Sequence, residues 1–355
     1  MPRVSLSKRL FIPAVFLSVF LSVFLSVFFI YLSALPPAVY HGDSGETAAV
    51  SFTLGIQHPP GYPVYSLFGK LFLSVLASGS VAFRFSVLSA FICCINMFLI
   101  YKISSSVFSS FPGKKNSFIA PLIAALSFAF LPSVWENAIT PKGGIYMLNI
   151  FFSLLIIYTL SFSRLNAGKK IYMASFLFGI SCSHHYMSQM AAFPAYAVAF
   201  LFSGAKFSIR GIITAFIFFI LGLSFYLYIP IRSGSLFNWG SPVTIESFFF
   251  ILSRAQYTAS EISRSLHGSF SRLLYFSENL SSAFFHAGLI AAAAGAFIIS
   301  VLNRRAFLLL SVFLLMFPLS AAVYLNLPAE KLFIMRPYML PSLVPVCIFF
   351  AAAFY

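Results

Sequence analysis

Acidic side chains are the scarcest feature of this 355-residue chain, which has 7 Asp and Glu against 22 Lys and Arg. Asp43 is its single aspartate. Charged residues make up 8% of the sequence, whereas a soluble domain carries about 25%. A water-facing surface cannot be assembled from so little charge, so a soluble enzyme and a disordered chain are both excluded. The four cysteines, Cys93, Cys94, Cys182 and Cys347, show neither a pairing pattern nor metal-ligand spacing, which excludes a disulfide scaffold. No glycine-rich phosphate loop opens a helix, so a nucleotide site of that kind is not expected. No acid lies deep in an apolar run, where it would cost roughly 2.5–3.5 kcal/mol and suggest ion coupling. Apolar residues are what the chain has in abundance: 60% is hydrophobic and 47 residues are Phe. The formal surplus of +15 punctuates apolar runs instead of forming a solvated patch, so nucleic acid is not an expected partner. The partner implied is the lipid bilayer.

Apolar stretches of about 17–25 residues cross a hydrocarbon core as helices. Ten are expected, at 10–34, 85–103, 117–134, 145–163, 171–183, 187–203, 211–231, 282–301, 306–326 and 337–355. The fifth and sixth are short and meet at His184 and His185, as a tilted or broken pair would. No β-barrel alternation is visible, so the fold class expected is an all-α polytopic membrane protein, one multi-pass domain over 1–355. Threading the chain with Arg3, Lys8 and Arg9 inside places Lys102, Lys114, Lys115, Arg164, Lys169, Lys170, Lys206, Arg210, Arg304 and Arg305 inside too. All seven acids then fall outside. The positive-inside rule therefore predicts a cytoplasmic N-terminus and a polar outer face. The FLSV repeat between Phe16 and Val27 reads as a retained, lipid-facing anchor.

The first outer loop, 36–84, carries the densest polar chemistry. Asp43 and Glu46 stand three apart and share a face if a helix begins there. Such a pair suits a divalent cation, Mg or Mn, or a general base. The same spacing is also a helix-start pattern, with Asp43 as N-cap and Glu46 as its capping-box partner. Next, Gln57-His-Pro-Pro-Gly-Tyr-Pro63 forms a stiff elbow holding His58 and Tyr62, with Pro63 suited to a first helical position. Ser66, Lys70, Ser74 and Ser78 then recur at every fourth place among apolar residues. That stripe predicts an interfacial amphipathic helix over 63–78. The other outer loops set aromatics beside isolated charges: Trp135, Lys142 and Tyr146; His184 and His185; and Lys331 and Arg336 before the last span. In the large outer loop, 232–281, stand Arg232, Asn238, Trp239, Arg254 and Tyr257. Interfacial belts are the default explanation of such aromatics, and snorkelling that of such cations.

Gly42-Asp-Ser-Gly-Glu46, followed by Leu54-Gly-Ile-Gln-His-Pro-Pro-Gly-Tyr-Pro63, closely resembles the opening of the transmembrane O-mannosyltransferase-like family of the GT-C glycosyltransferase superfamily. The likeness extends through Trp135 to Asn149, Gly179 to His185 and Tyr228 to Tyr257, from about residue 36 to 342. It implies a GT-C-like helical fold with an active site on the outer face. The membrane implied is the plasma (inner) membrane, or the endoplasmic reticulum with a luminal site in a eukaryote. The implied donor is a sugar on a polyprenyl phosphate, and the implied acceptor is a hydroxyl of a protein or glycan. On this reading Asp43 is the base, Glu46 and His58 orient it or join a metal, and Arg232 and Arg336 hold the donor phosphate. Tyr62, Trp135, Lys142, Tyr146, His184, His185, Asn238, Trp239, Arg254 and Tyr257 line the substrate. The chain stops inside an apolar run, as a short or truncated member would. Two other readings stay open: a transporter or flippase of lipid-linked saccharides, which lacks the expected broken, repeated spans, and a non-catalytic truncated membrane protein.

Overall fold

The computed structural model describes residues 21–40, 42–112, 118–205, 208–260, 265–325 and 327–355. The first half of the expected first span, and the expected inside residues Arg3, Lys8, Arg9, Lys114, Lys115 and Lys206, lie outside the described residues. The chain is a helical membrane bundle. A short apolar helix α1 (Leu21–Ala34) precedes α2 (Ser44–Thr53) and α3 (Pro63–Val75), which form the first loop. Six described helical segments are long and apolar enough to cross a membrane singly, and a bent pair makes up to seven. Among them are α4 (Val81–Phe108), α7 (Gly143–Ser161) and α13 (Arg304–Tyr324). Of the remaining expected spans, the first is described only from Leu21 on, as α1, and the others rest on interrupted elements.

The third span is bent by 66° between α5 (Ile119–Phe130) and α6 (Pro132–Ala138). Pro132 cannot donate into the preceding turn, so the helix restarts there with Pro at its first position. The fifth and sixth expected spans are one 36-residue helical element, α8 (Ala167–Phe202), with a non-helical residue at His185 (φ −158°, ψ 80°). Phe178 lies 5.6 Å from Phe193 and 5.8 Å from Tyr196, ring to ring. In an unbroken helix Phe178 and Phe193 would be about 22 Å apart. The element is therefore a hairpin of two short arms with His184 and His185 at its apex. Buried polar groups fasten it to α7: Gln189 donates to Asn149 Oδ1 (3.2 Å) and Tyr196 donates to Ser153 Oγ (3.1 Å). Such bonds are the usual glue between helices where lipid offers no hydrophobic driving force.

The seventh crossing, Ile209–Ile231, comprises α9 (Ile209–Leu223), a 3-10 turn and α10 (Tyr228–Ile231). The large loop is not featureless. It contains α11 (Ile245–Ser253), and α12 (Leu266–Leu302) begins well before the expected start of the eighth span, bending at Phe285 (φ +54°). After α13 come a 3-10 segment, α14 (Arg336–Met339) and α15 (Leu343–Ala352). The interfacial helix exists as α3. Ser66 is buried and bonded to Gln57, whereas Ser74 is exposed beside Leu71 and Val75. The polar stripe thus leaves the interior along the helix.

The first arm of α8 lies on α9 with backbones nearly touching. A Cβ added to Gly179 would meet the Phe219 carbonyl, and one added to Gly222 the Phe176 carbonyl. Ser183 donates to the carbonyls of Gly222 (3.2 Å) and Leu223 (3.0 Å) across the same seam. Gly179→Ala or Gly222→Ala should each destabilise by about 1–3 kcal/mol through overpacking, read as a lowered thermal midpoint in detergent. Unchanged midpoints would show that the two helices separate without cost.

Candidate active site

The loop between α1 and α3 folds back on itself because Gln57 is buried as its hub. Thr47 donates to Gln57 Oε1 (3.2 Å), and Gln57 Nε2 donates to Ser51 (3.4 Å) and Ser66 (3.1 Å). Helices α2 and α3 are thereby joined through one fully buried amide. The adjoining His58 lands over the start of α2, where Asp43 and Glu46 stand. Glu46 accepts from both the His58 backbone N–H and Nδ1, each at 2.6 Å. Asp43 occupies the N-cap position without a side-chain cap bond. The capping-box interpretation of this pair is therefore wrong: Glu46 turns toward His58, and the Asp43 carboxylate is left free for other partners.

Its partner comes from 99 residues downstream of it in the chain: Lys142 Nζ lies 3.4 Å from Asp43 Oδ2 and 3.0 Å from His58 Nε2. Ionised Glu46 can only accept, so Nδ1 carries the proton facing it. His58 Nε2 then receives a hydrogen bond from the Lys142 ammonium. The result is a chain of alternating groups, Glu46, His58, Lys142 and Asp43. Burial alone would raise Glu46, but the His58 hydrogen bonds and the nearby Lys142 outweigh it and hold the carboxyl below its ordinary range. For Lys142 burial wins, holding the ammonium below its ordinary value although Asp43 and Glu46 pull the other way. Asp43 is the open member, its side chain 55% exposed against 12% for Lys142.

Aromatic rings continue from this cluster. Tyr62 lies under Lys142 (4.8 Å) and against His58 (5.5 Å), while Trp239 flanks His58 at 6.2 Å. His185 stands between Tyr62 (5.6 Å) and Tyr338 (5.4 Å), and Tyr146 also meets Tyr338 (5.9 Å). Beyond them opens a cavity of about 540 Å³, whose wall includes Met187, Ser188, Arg254, Tyr257, Tyr324 and Tyr338. Arg254 is oriented there by a bond to Met187 Sδ (3.0 Å) and by the Tyr257 ring (4.9 Å). His185 Nε2 is buried without a partner beside this wall. His184 lies behind, bonded to the Ile145 carbonyl at 2.8 Å.

Other expected site residues serve different ends. Arg232 donates to the carbonyls of Leu54 (2.6 Å) and Thr53 (3.2 Å), and Lys70 to that of Phe52 (2.6 Å). Two cations thus close the C-terminus of α2, where carbonyls lack helical partners. Arg336 bonds the Tyr275 hydroxyl at 2.7 Å. Neither arginine is among the residues that line that cavity. Trp135 packs on Tyr31 (5.0 Å) and Phe130 (6.1 Å), away from the site. Asn238 pairs with Ile56 in a short parallel bridge. That bridge, with Tyr228 donating to the Gly55 carbonyl (2.6 Å), binds the large loop to the first and brings Trp239 to His58. Tyr338 was not singled out from sequence, although it follows Arg336 in the same pairing of ring and charge seen in the other loops.

One ligand atom each from Asp43, Glu46 and His58 lie within 4.8 Å of one another, a spacing a metal ion accepts. The donor set nevertheless does not fit the expected Mg or Mn. Lys142 places an ammonium against two of the three ligand atoms, and both Glu46 oxygens are already committed to His58. Glu46→Gln should cost about 1.5–3 kcal/mol, the range for hydrogen bonds to a charged group. Because the folded carboxyl is lowered, this stabilisation is complete above the unfolded carboxylate value, about pH 4.3, and disappears as pH falls through the folded one. Thermal midpoints of the two proteins should thus differ at neutral pH and converge in acid. A gap unchanged at pH 3 would contradict the clamp.

Residues 43–209 match the family model described as Protein O-mannosyl-transferase TMEM260 N-terminal domain. The chain is 25% identical over 250 residues to mouse Protein O-mannosyl-transferase TMEM260, covering 68% of this chain and 34% of that protein. It is 25% identical over 290 residues to the Dictyostelium discoideum protein of that name, covering 75% and 34%. The chain therefore spans about a third of the length of these curated relatives. Its fold matches the crystal structure of ArnT from Cupriavidus metallidurans bound to undecaprenyl phosphate, with a TM-score of 0.63 and 12% identity over 95% of this chain and 60% of ArnT. In sequence the chain is thus similar to the N-terminal part of protein O-mannosyl-transferases, and in fold it is similar to ArnT.

Proposed function

We propose that this chain forms the catalytic membrane portion of a glycosyltransferase that moves a sugar from a polyprenyl phosphate to a hydroxyl of a protein or glycan. The acceptor oxygen attacks the anomeric carbon, the bond from that carbon to the phosphate oxygen breaks, and the acceptor proton passes to Asp43. The lipid phosphate leaves with the bonding pair. The observation that carries this reading is the placement of Asp43. The chain's single aspartate is relieved of capping, paired with a buried lysine and left partly open near a cavity that contains an arginine. Names of the relatives support the acceptor class, and the lipid bound to ArnT supports the donor class. The charge distribution along the chain supports an outer-face site.

Roles follow from position. Asp43 is the base. Glu46 and His58 are positioning residues that fix where Lys142 and Asp43 meet. Arg254, in place of Arg232 and Arg336, holds the donor phosphate from the cavity wall, since a guanidinium matches phosphate oxygens in pairs. Tyr257, Tyr338 and His185 surround the sugar between that phosphate and Asp43. Arg232 and Lys70 serve by holding the α2 helix that presents Asp43.

Transfer of labelled mannose from a polyprenyl phosphate to a Ser/Thr peptide, with the chain in detergent, tests the reading. A flippase needs two compartments and would give no product. Asp43→Asn should lower transfer by about 10²–10⁴-fold, the contribution of general base catalysis, with an unchanged thermal midpoint; full retention would rule Asp43 out as the base. Arg254→Ala should raise the KM for donor by roughly ten- to a hundredfold, as loss of charged hydrogen bonds implies. Unaltered donor kinetics would remove Arg254 from the phosphate site.

A further inference from the structure

We propose that Lys142 is the built-in cation of this cluster, standing where Asp43 and His58 would otherwise share a divalent metal ion, so that its replacement creates a metal site. The proposal deepens the transferase reading where it concerns Asp43; its metal-binding half is independent of that reading.

The ammonium has three partners in three directions: His58 Nε2 (3.0 Å), Asp43 Oδ2 (3.4 Å) and the face of Tyr62 (4.8 Å). They match the three donors of a lysine head group. The backbone carrying Lys142 is fixed on both sides. Ser89 donates to the Thr140 carbonyl (2.7 Å) and Tyr65 to the Pro141 carbonyl (2.9 Å). A Cβ at position 143 would strike the Asn137 backbone, and one at 144 the Tyr65 hydroxyl. The turn between α6 and α7 is thus pressed against its neighbours by two glycines. Lys142 is a placed group, unlike a lysine that snorkels from a helix end.

His58 Nε2 and Asp43 Oδ2 are 3.9 Å apart, a few tenths of an ångström wider than the roughly 3.3–3.6 Å between two tetrahedral ligands with bonds of about 2.0–2.2 Å. Glu46 grips His58 Nδ1 as a carboxylate grips the far nitrogen of a metal-bound histidine, leaving Nε2 facing inward. Everything a metal needs from two ligands is present, and a fixed positive charge flanks the gap. A divalent ion and the ammonium exclude each other by like charge. The lysine performs what a metal would do for Asp43, giving its carboxylate a fixed cationic partner at 3.4 Å.

The chain, stripped with chelator in detergent, is titrated with Zn²⁺ and with Co²⁺, whose visible absorption reports coordination. Wild type and Lys142→Arg should show no saturable binding. Lys142→Ala should bind measurably, and Lys142→His, which adds a ligand, at least tenfold more tightly than Lys142→Ala. Adding Asp43→Asn to Lys142→His should abolish binding. In the mannose transfer assay, chelator should leave wild type unaffected, while Lys142→Ala should lose roughly 10²–10³-fold, the usual effect of removing one electrostatic partner. Saturable metal binding by wild type that Asp43→Asn removes would overturn the proposal. So would failure of both Lys142→Ala and Lys142→His to bind metal while keeping wild-type thermal midpoints, or full transfer by Lys142→Ala. If wild type itself transfers nothing, the transferase reading fails and the titration still decides the metal question.

Discussion

The arrangement of the site depends on the two hydrogen bonds that Glu46 accepts from one residue, His58. A carboxylate bound only to a side chain would leave the backbone of the Pro-Pro elbow free to move. One bound only to backbone would leave the imidazole free to turn. Holding both fixes the ring plane and the proton position together, so the far nitrogen has one direction to face. Lys142 then meets a lone pair at a defined place, and Asp43 meets the charge of Lys142. Each member orients the next, which allows a partly exposed aspartate to have a defined environment at the edge of a lipid-embedded bundle.

The two ends of α2 divide this work. Its N-terminus presents Asp43 and Glu46, and its C-terminus is closed by Lys70 and Arg232 from distant segments. The buried amide of Gln57 couples α2 to α3 without any charge. A ten-residue helix has little stability of its own, so these attachments determine where its carboxylates stand. The bundle supplies the rest through close backbone approach and a few buried polar contacts, as between α7 and the α8 hairpin.

Much of this was legible in the sequence, and the limits have physical causes. The crossing pattern follows from apolar run length, and the break at His184-His185 carries a local signature, whereas the bend at Pro132 was not singled out from the sequence. The nearness of Asp43, Glu46 and His58 follows from a short loop stiffened by prolines. The ambiguity of Asp-x-x-Glu could not be resolved locally, because a cap bond and a bond to His58 differ only in which way Glu46 turns. Lys142 was singled out as lining, but no spacing rule joins residue 142 to residue 43. Arg232 looked like a phosphate ligand because a guanidinium in an outer loop has the right chemistry; that it meets helix-end carbonyls depends on how two loops cross. The stripe of α3 did not show which of its members turn inward: Ser66 is drawn inside by the buried amide of Gln57, while Ser74 is exposed.

The short bridge between Ile56 and Asn238 also bears on the order of assembly. Chains are synthesised from the N-terminus, and their earlier parts can fold first. Here the first loop receives its final contacts from residues 228–239. Until that segment has been made and its crossing inserted, the carbonyls of Thr53, Leu54 and Gly55 and the backbone of Ile56 lack the partners they have in the fold. The polar contacts among Asp43, Glu46, His58 and Lys142 involve no residue beyond 142, whereas the far end of α2 gains its last backbone partners only from the segment that follows the seventh expected crossing.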